Sequence, residues 1–234
     1  MTLAHLAAAI YETARISAPT IFEGLRGTLT PEDCDRRLDS WSAKLLEAAG
    51  VELRVEGLEN APEGETFVVM SNHQSVYDIP VMFRALRRRV RMVAKHELFK
   101  IPGWGPAMRL AGFVEVDRGD RAQAIRSLES AKTALAHGTS IWIAPEGTRG
   151  KGGTDLLPFK KGGFHLATTA GARILPVSIS GTSQVLSAHG RTVKSGETVT
   201  VRVHPPISTG DYTTEARGQL IGDVRAAIIA GLTS

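Results

Sequence analysis

The sequence predicts an α/β fold: a mixed, mostly parallel sheet flanked by helices and preceded by an N-terminal two-helix element. Three observations carry that prediction. Apolar residues recur at helical spacing over the first fifty positions, after which the period drops to two. Short apolar runs then alternate with longer helical stretches, the pattern of βα units. Polar, glycine-rich segments follow several of those runs, where α/β sheets place their binding loops. With 234 residues, 42% of them hydrophobic and 22% charged, the chain suits one such domain with an appended element and excludes wholesale disorder. The expected division is a helical pair over residues 1–50 and an α/β domain over residues 51–234.

Taken in order, Leu3, Leu6, Ala7, Ile10 and Ala14 make one apolar helical stripe, and Pro19 is expected to stop or bend that helix. A second helix is expected from Thr30-Pro31-Glu32-Asp33, a capping hydroxyl, a proline and two acids suited to a helix N-terminus. Its stripe is Cys34, Leu38, Trp41, Leu45 and Ala48, with Gly50 as the stop. Cys34 lies on that stripe and reads as a packing residue. Val51, Leu53 and Val55 alternate with charged residues, so a half-exposed strand follows. Continuous buried strands are expected at 66–71, 90–94, 113–116, 140–144 and 174–179, and an alternating one at 199–203. Helices are expected at 120–136 and 214–232.

One cysteine excludes an intrachain disulfide framework and fits a reducing compartment. No run of 18 apolar residues occurs, and no signal peptide is expected, so the location expected is cytoplasmic, peripheral on the cytoplasmic face of a membrane. Residues 84–100 carry seven cationic side chains against Glu97 alone, a local charge of +6. Such a cluster attracts phosphates or anionic lipid, or is simply a solvated helix end. Nucleic acid is disfavoured, because few aromatics interleave with the basic residues.

Two loops can carry chemistry. In the first, His73 and Asp78 are five apart, on opposite faces of a strand and about 140° apart on a helix. They meet only if the chain turns between them, and a strand is expected to end there and a helix to begin. Asp78 then orients one imidazole nitrogen and leaves the other free as a general base; the plainer alternative is a His and an Asp capping a loop. The second loop, Pro145-Glu146-Gly147-Thr148-Arg149, exposes an acid, a hydroxyl and a guanidinium beside glycines that let backbone N–H groups approach an anion. It lacks the order of a nucleotide P-loop. Arg118, just past the 113–116 strand, is a third candidate. No metal-ligand spacing is present.

Four blocks in order, Asn72-His73-x4-Asp78, Phe113 to Arg118, Pro145 to Arg149 and Leu175-Pro176-Val177, resemble those of the glycerolipid acyltransferases, the 1-acyl-sn-glycerol-3-phosphate acyltransferase type. Lys95-His96-Glu97-Leu98 and Phe159-Lys160-Lys161-Gly162 support the match, which covers residues 51 to about 206. The chain departs at Ala144, where many members carry phenylalanine, implying a wider or differently shaped acyl pocket. It also departs at its N-terminus, where many begin with a hydrophobic membrane segment.

The resemblance implies transfer of a fatty acyl group from acyl-CoA or acyl carrier protein to a lysophospholipid acceptor at a membrane surface, with no further cofactor. It implies His73 as base and Asp78 as its orienting partner. It nominates Arg118 and Arg149, with Lys95, for the acceptor's phosphate, Glu146 for orienting the acceptor or an arginine, and Gly147 and Thr148 as further binding residues. Rival readings are a different acceptor (a lyso-ornithine lipid or glycerol 3-phosphate) or a catalytically silent lipid-binding protein. A hydrolase is disfavoured because no Gly-x-Ser-x-Gly elbow is present. The helical pair is read as a membrane-surface or packing element, and deletion of residues 1–22 is expected to spare activity on short, water-soluble substrates.

Overall fold

The computed structural model describes residues 3–117, 119, 121–188, 190, 192–210, 212 and 216–233. Helices α1 (Leu3–Arg26) and α2 (Pro31–Ala48) precede strands β1 (Glu52–Glu56) and β2 (Phe67–Ser71). Next come α3 (Asp78–Leu86), β3 (Val90–Lys95), α4 (His96–Phe99), α5 (Trp104–Leu110) and β4 (Val114–Val116). The order ends with α6 (Arg121–Ala136), β5 (Ser140–Ile143), α7 (Gly162–Ala170), β6 (Arg173–Ser180), α8 (Thr182–Val185), β7 (Thr198–Val203) and α9 (Arg217–Ala230). Every strand expected from the sequence forms within a residue or two of its expected position.

The strands build one sheet in the order β1-β7-β6-β2-β5-β3-β4, parallel throughout except for the antiparallel β6–β7 pair. β2 is central, with Val69 in register with Leu175 of β6 and Trp142 of β5. A strand covered on both faces needs no polar side, and all five residues of β2 are buried. Phe67 and Val69 face a core that includes Leu38 and Leu46 of α2 and Val81 and Met82 of α3. Val68 and Met70 face Phe164 of α7 and Leu220, Val224 and Ile228 of α9. The C-terminal end of β2 is thereby held rigid from both sides, at the centre of the parallel part of the sheet.

Three expectations change. The first helix runs through Pro19 to Arg26. An interior proline costs about 3 kcal/mol, and packing offsets it: Arg37 of α2 donates to Thr20 Oγ1 at 3.1 Å and pairs with Glu23 at 2.6 Å. Trp41 Nε1 donates to Thr13 Oγ1 at 3.2 Å, and Gly24 lets Leu110 of α5 lie against the helix, since a Cβ there would stand 2.7 Å from its Cδ1. The α2 stripe also differs. Thr30 and Asp33 form the capping box, and Cys34 and Leu38 are buried as expected. The buried side, however, continues through Ser42 and Leu46, while Trp41 and Leu45 turn toward a cavity and Ala48 is exposed.

The third change concerns the basic run at 84–100. Arg84 pairs with Asp39 at 2.6 Å, Arg91 with Asp35 at 2.6 Å, and Arg89 with Asp35 at 2.9 Å and with Glu32. Arg88 donates to the carbonyls of Ala61, Pro62 and Glu65 at 2.6, 2.7 and 3.1 Å. Four of the seven cations therefore dock α2 and the loop before β2 rather than facing an external anion. Among the described residues, Arg87, Lys95 and Lys100 keep no such partner.

Candidate active site

β2 ends at Ser71 and α3 begins at Asp78, so the intervening loop makes the turn that lets residues five apart meet. His73 Nδ1 lies 2.6 Å from Asp78 Oδ2. The same oxygen accepts the backbone N–H groups of Gln74 at 2.7 Å and Ser75 at 2.9 Å, and Oδ1 accepts the Thr182 hydroxyl at 2.5 Å. Asp78 is fully buried, and four converging donors are matched by a carboxylate, which only accepts. Nδ1 is therefore the protonated nitrogen of neutral His73, and Nε2 keeps its lone pair on a ring that lines the cavity.

The loop is clamped at both ends. Asn72 makes a two-way amide pair with the backbone of Ile179 in β6, donating to its carbonyl and accepting its N–H, both at 2.8 Å. Gln74 Nε2 donates to the same carbonyl at 2.5 Å. Ser75 Oγ donates to the Leu186 carbonyl at 2.6 Å. From the β5 side, the Gly150 N–H donates to the His73 carbonyl at 2.7 Å.

Glu146 is corrected by the structure. It is buried, and its two oxygens accept the N–H groups of His73 at 2.9 Å and Leu157 at 2.8 Å. Burial pushes its carboxyl pKa up, while these two bonds and the nearby His73 work the other way. It does not line the cavity; it ties the 145–149 loop to the His73 backbone rather than orienting an acceptor or an arginine. Gly147, with φ of +71°, closes the turn by donating to Ala144 O at 2.9 Å, a conformation that side chains resist.

The cavity beside His73 holds about 1030 Å³, at the top of the range of about 300–1,000 Å³ for small-molecule sites. Its walls are mostly apolar: Ile10, Ala14 and Ile21 of α1, Trp41 and Leu45 of α2, and Trp104 of α5 among others. Ala144 lines it as well. Lys95, Gly147, Thr148 and Arg149 reach the same cavity, and among the described residues neither Lys95 nor Arg149 has a hydrogen-bond or ion-pair partner. Arg118 lies outside the described residues. Residues of α1 form a wall of this cavity, so deletion of residues 1–22 would open it and is expected to lower activity even on soluble substrates.

Sequence reasoning left Thr182 unmentioned and gave Asn72, Gln74 and Ser75 no role. The available signal was a polar Gly181-Thr182 step just past β6, the strand beside β2.

Fold and site together define an α/β protein with a histidine–carboxylate pair at the C-terminal edge of its sheet, opening on an apolar chamber that Lys95 and Arg149 reach. A family model described as Acyltransferase matches residues 52–180. The 1-acyl-sn-glycerol-3-phosphate acyltransferase alpha of Mus musculus is 36% identical over 181 residues, covering 77% of this chain and 63% of that one. The 1-acyl-sn-glycerol-3-phosphate acyltransferase of Saccharomyces cerevisiae is 33% identical over 182 residues, covering 77% and 59%. Among solved structures, the 1-acyl-sn-glycerophosphate (LPA) acyltransferase PlsC from Thermotoga maritima superposes with a TM-score of 0.79 at 26% identity, over 99% of this chain and 95% of that one. The chain belongs to the acyltransferase family. The matched stretch spans less than two thirds of the mouse and yeast relatives.

Proposed function

We propose that the protein transfers a fatty acyl group from an acyl thioester, acyl-CoA or acyl carrier protein, to the free hydroxyl of 1-acyl-sn-glycerol-3-phosphate, giving phosphatidic acid. The observation that carries this reading is the His73–Asp78 pair opening on an apolar cavity that Lys95 and Arg149, without ion-pair partners among the described residues, also reach. The names of the mouse, yeast and Thermotoga relatives support the acceptor. His73 Nε2 takes the hydroxyl proton as the oxygen attacks the thioester carbonyl. The tetrahedral oxyanion then collapses, the C–S bond breaks, and the leaving thiolate receives the proton from Nε2. Asp78 holds the tautomer and offsets the imidazolium charge. Lys95, Arg149 and, by family resemblance, Arg118 take the acceptor's phosphate, and Gly147 and Thr148 shape the loop beside it.

The test is purified protein with labelled oleoyl-CoA or oleoyl carrier protein and a panel of 1-acyl-sn-glycerol-3-phosphate, lyso-ornithine lipid and glycerol 3-phosphate, read by product mass. Product from the first acceptor alone is expected, and product only from another acceptor overturns the assignment. Arg149→Ala is expected to raise the acceptor KM about ten- to a hundredfold, because a charge-assisted bond contributes about 1.5–3 kcal/mol. Arg149→Lys rescues poorly, since a point charge lacks the planar fork. An unchanged acceptor KM with loss of donor affinity alone removes Arg149 from the phosphate site.

The protein works as a peripheral protein on the cytoplasmic face of a membrane. No helix among the described residues is long and apolar enough to span one. Instead Leu6, Ile10, Tyr11, Phe22 and Leu25 are exposed along one side of α1, and Ile10, Val76 and Ile101 are both exposed and cavity-lining. A lipid surface against this side brings the acyl chains to the mouth. Phe22→Asn with Leu25→Asn, neither of which lines the cavity, should lower vesicle binding more than tenfold, at about 1.5–3 kcal/mol for each side chain kept from lipid. Salt should matter less than the +6 run suggests, because four of its arginines are paired internally. Co-sedimentation with anionic and neutral vesicles checks both; binding lost only in high salt reverses the order of the two contributions.

A further inference from the structure

We propose that Thr182 is a positioning residue for the His73–Asp78 pair, holding the Asp78 carboxylate in the one rotation that presents Oδ2 to His73. This rests on the acyl-transfer reading of the site. A carboxylate can turn about its last torsion and exchange its oxygens. Here Oδ2 must face three donors, and among the described residues Oδ1 has one partner, the Thr182 hydroxyl at 2.5 Å. Both side chains are fully buried, so no bulk water replaces that donor.

The rest of the segment is built to deliver the hydroxyl there. Thr182 is the first residue of α8, directly after its N-cap Gly181, and its hydroxyl reaches Asp78. Its backbone carbonyl accepts the Leu186 N–H at 3.0 Å, and the Leu186 carbonyl receives Ser75 Oγ. Residues 179–186 therefore grip the base loop at Asn72, Gln74, Ser75 and Asp78. Gly181, with φ of +95°, seats the segment against β7: a Cβ there would stand 2.3 Å from the Thr198 carbonyl oxygen. The donor reaches its carboxylate across 104 positions of sequence from a rigid corner.

Thr182→Val keeps the shape and removes the donor; Thr182→Ser keeps the donor and removes the methyl group. In the full chain, Thr182→Val is expected to lower kcat about 10- to 100-fold, the size seen when a partner orienting a site residue is removed. The acceptor and donor KM should be unchanged. The acid limb of the kcat profile, which the pair sets as a unit, should move to higher pH, because the carboxylate loses a stabilising donor. Thr182→Ser should restore both. Equal losses in the Val and Ser variants, or a wild-type kcat and acid limb in Thr182→Val, overturn the proposal. If Thr182→Val does not fold, Thr182→Ala against Thr182→Ser carries the same comparison, and no gap between them is equally fatal. Full turnover in His73→Ala defeats the acyl-transfer reading itself, an outcome distinct from all of these.

Discussion

His73→Ala should lower turnover about 10²- to 10⁴-fold while the protein stays folded, the range expected when a positioned base is lost. The fold is spared because the imidazole makes one hydrogen bond and keeps an exposed edge, and Asp78 Oδ2 retains the Gln74 and Ser75 N–H groups. The acceptor KM should hold, since Lys95 ends β3 and Arg149 stands on a different loop from His73. Steady-state kinetics with a thermal melt separate the two effects, and wild-type turnover would remove the mechanism. Asp78→Asn is a subtler case. By analogy with other histidine–carboxylate sites it would invert the imidazole tautomer. Here three donors converge on Oδ2, so the amide oxygen settles in that position and its NH2 turns to the Thr182 hydroxyl, which can accept. The tautomer survives and the countercharge does not, so the Asn variant should keep more activity than His73→Ala.

What the sequence made legible divides by distance along the chain. The strands are readable because a change of apolar period is local, and His73 and Asp78 are readable because a strand-to-helix turn must bring neighbours five apart together. Pro19 misleads because its cost is met by bonds from Arg37 and Trp41 to the same helix, which span 14 to 28 positions of sequence. The basic run misleads for the same reason. Whether Arg84 or Arg89 is free depends on Asp39 and Asp35, 45 and 54 positions earlier. Glu146 shows the limit most clearly: it is a striking-distance neighbour of Arg149 in sequence, yet its partner is the backbone of His73, 73 positions away.

That partnership makes Glu146→Ala the second large effect. The change strips the acceptor from the N–H groups of His73 and Leu157 and unties the 145–149 loop from the base loop, leaving the Gly150-to-His73 bond as the remaining direct link described above. Two N–H groups lose their acceptor, so the protein should lose about 1–3 kcal/mol of stability. The kinetic loss should be larger, near 10²-fold in kcat, since a displacement of about 1 Å at a reacting group costs that much. The acceptor KM should rise too, because Arg149 rides on the freed loop. Glu146→Gln should be intermediate: its amide oxygen serves one N–H group and its NH2 opposes the other. The pH dependence has a definite sign. Burial raises the folded-state pKa of Glu146 above its unfolded value, so the folded state binds the proton more tightly. Its contribution is therefore most favourable at low pH and declines as pH rises from the ordinary glutamate range through the raised value. Urea melts across that window should show the wild type losing stability relative to Glu146→Gln as pH increases. A difference that widens in the opposite sense would mean that the two N–H bonds outweigh burial, and that the ionised carboxylate is the form the fold prefers.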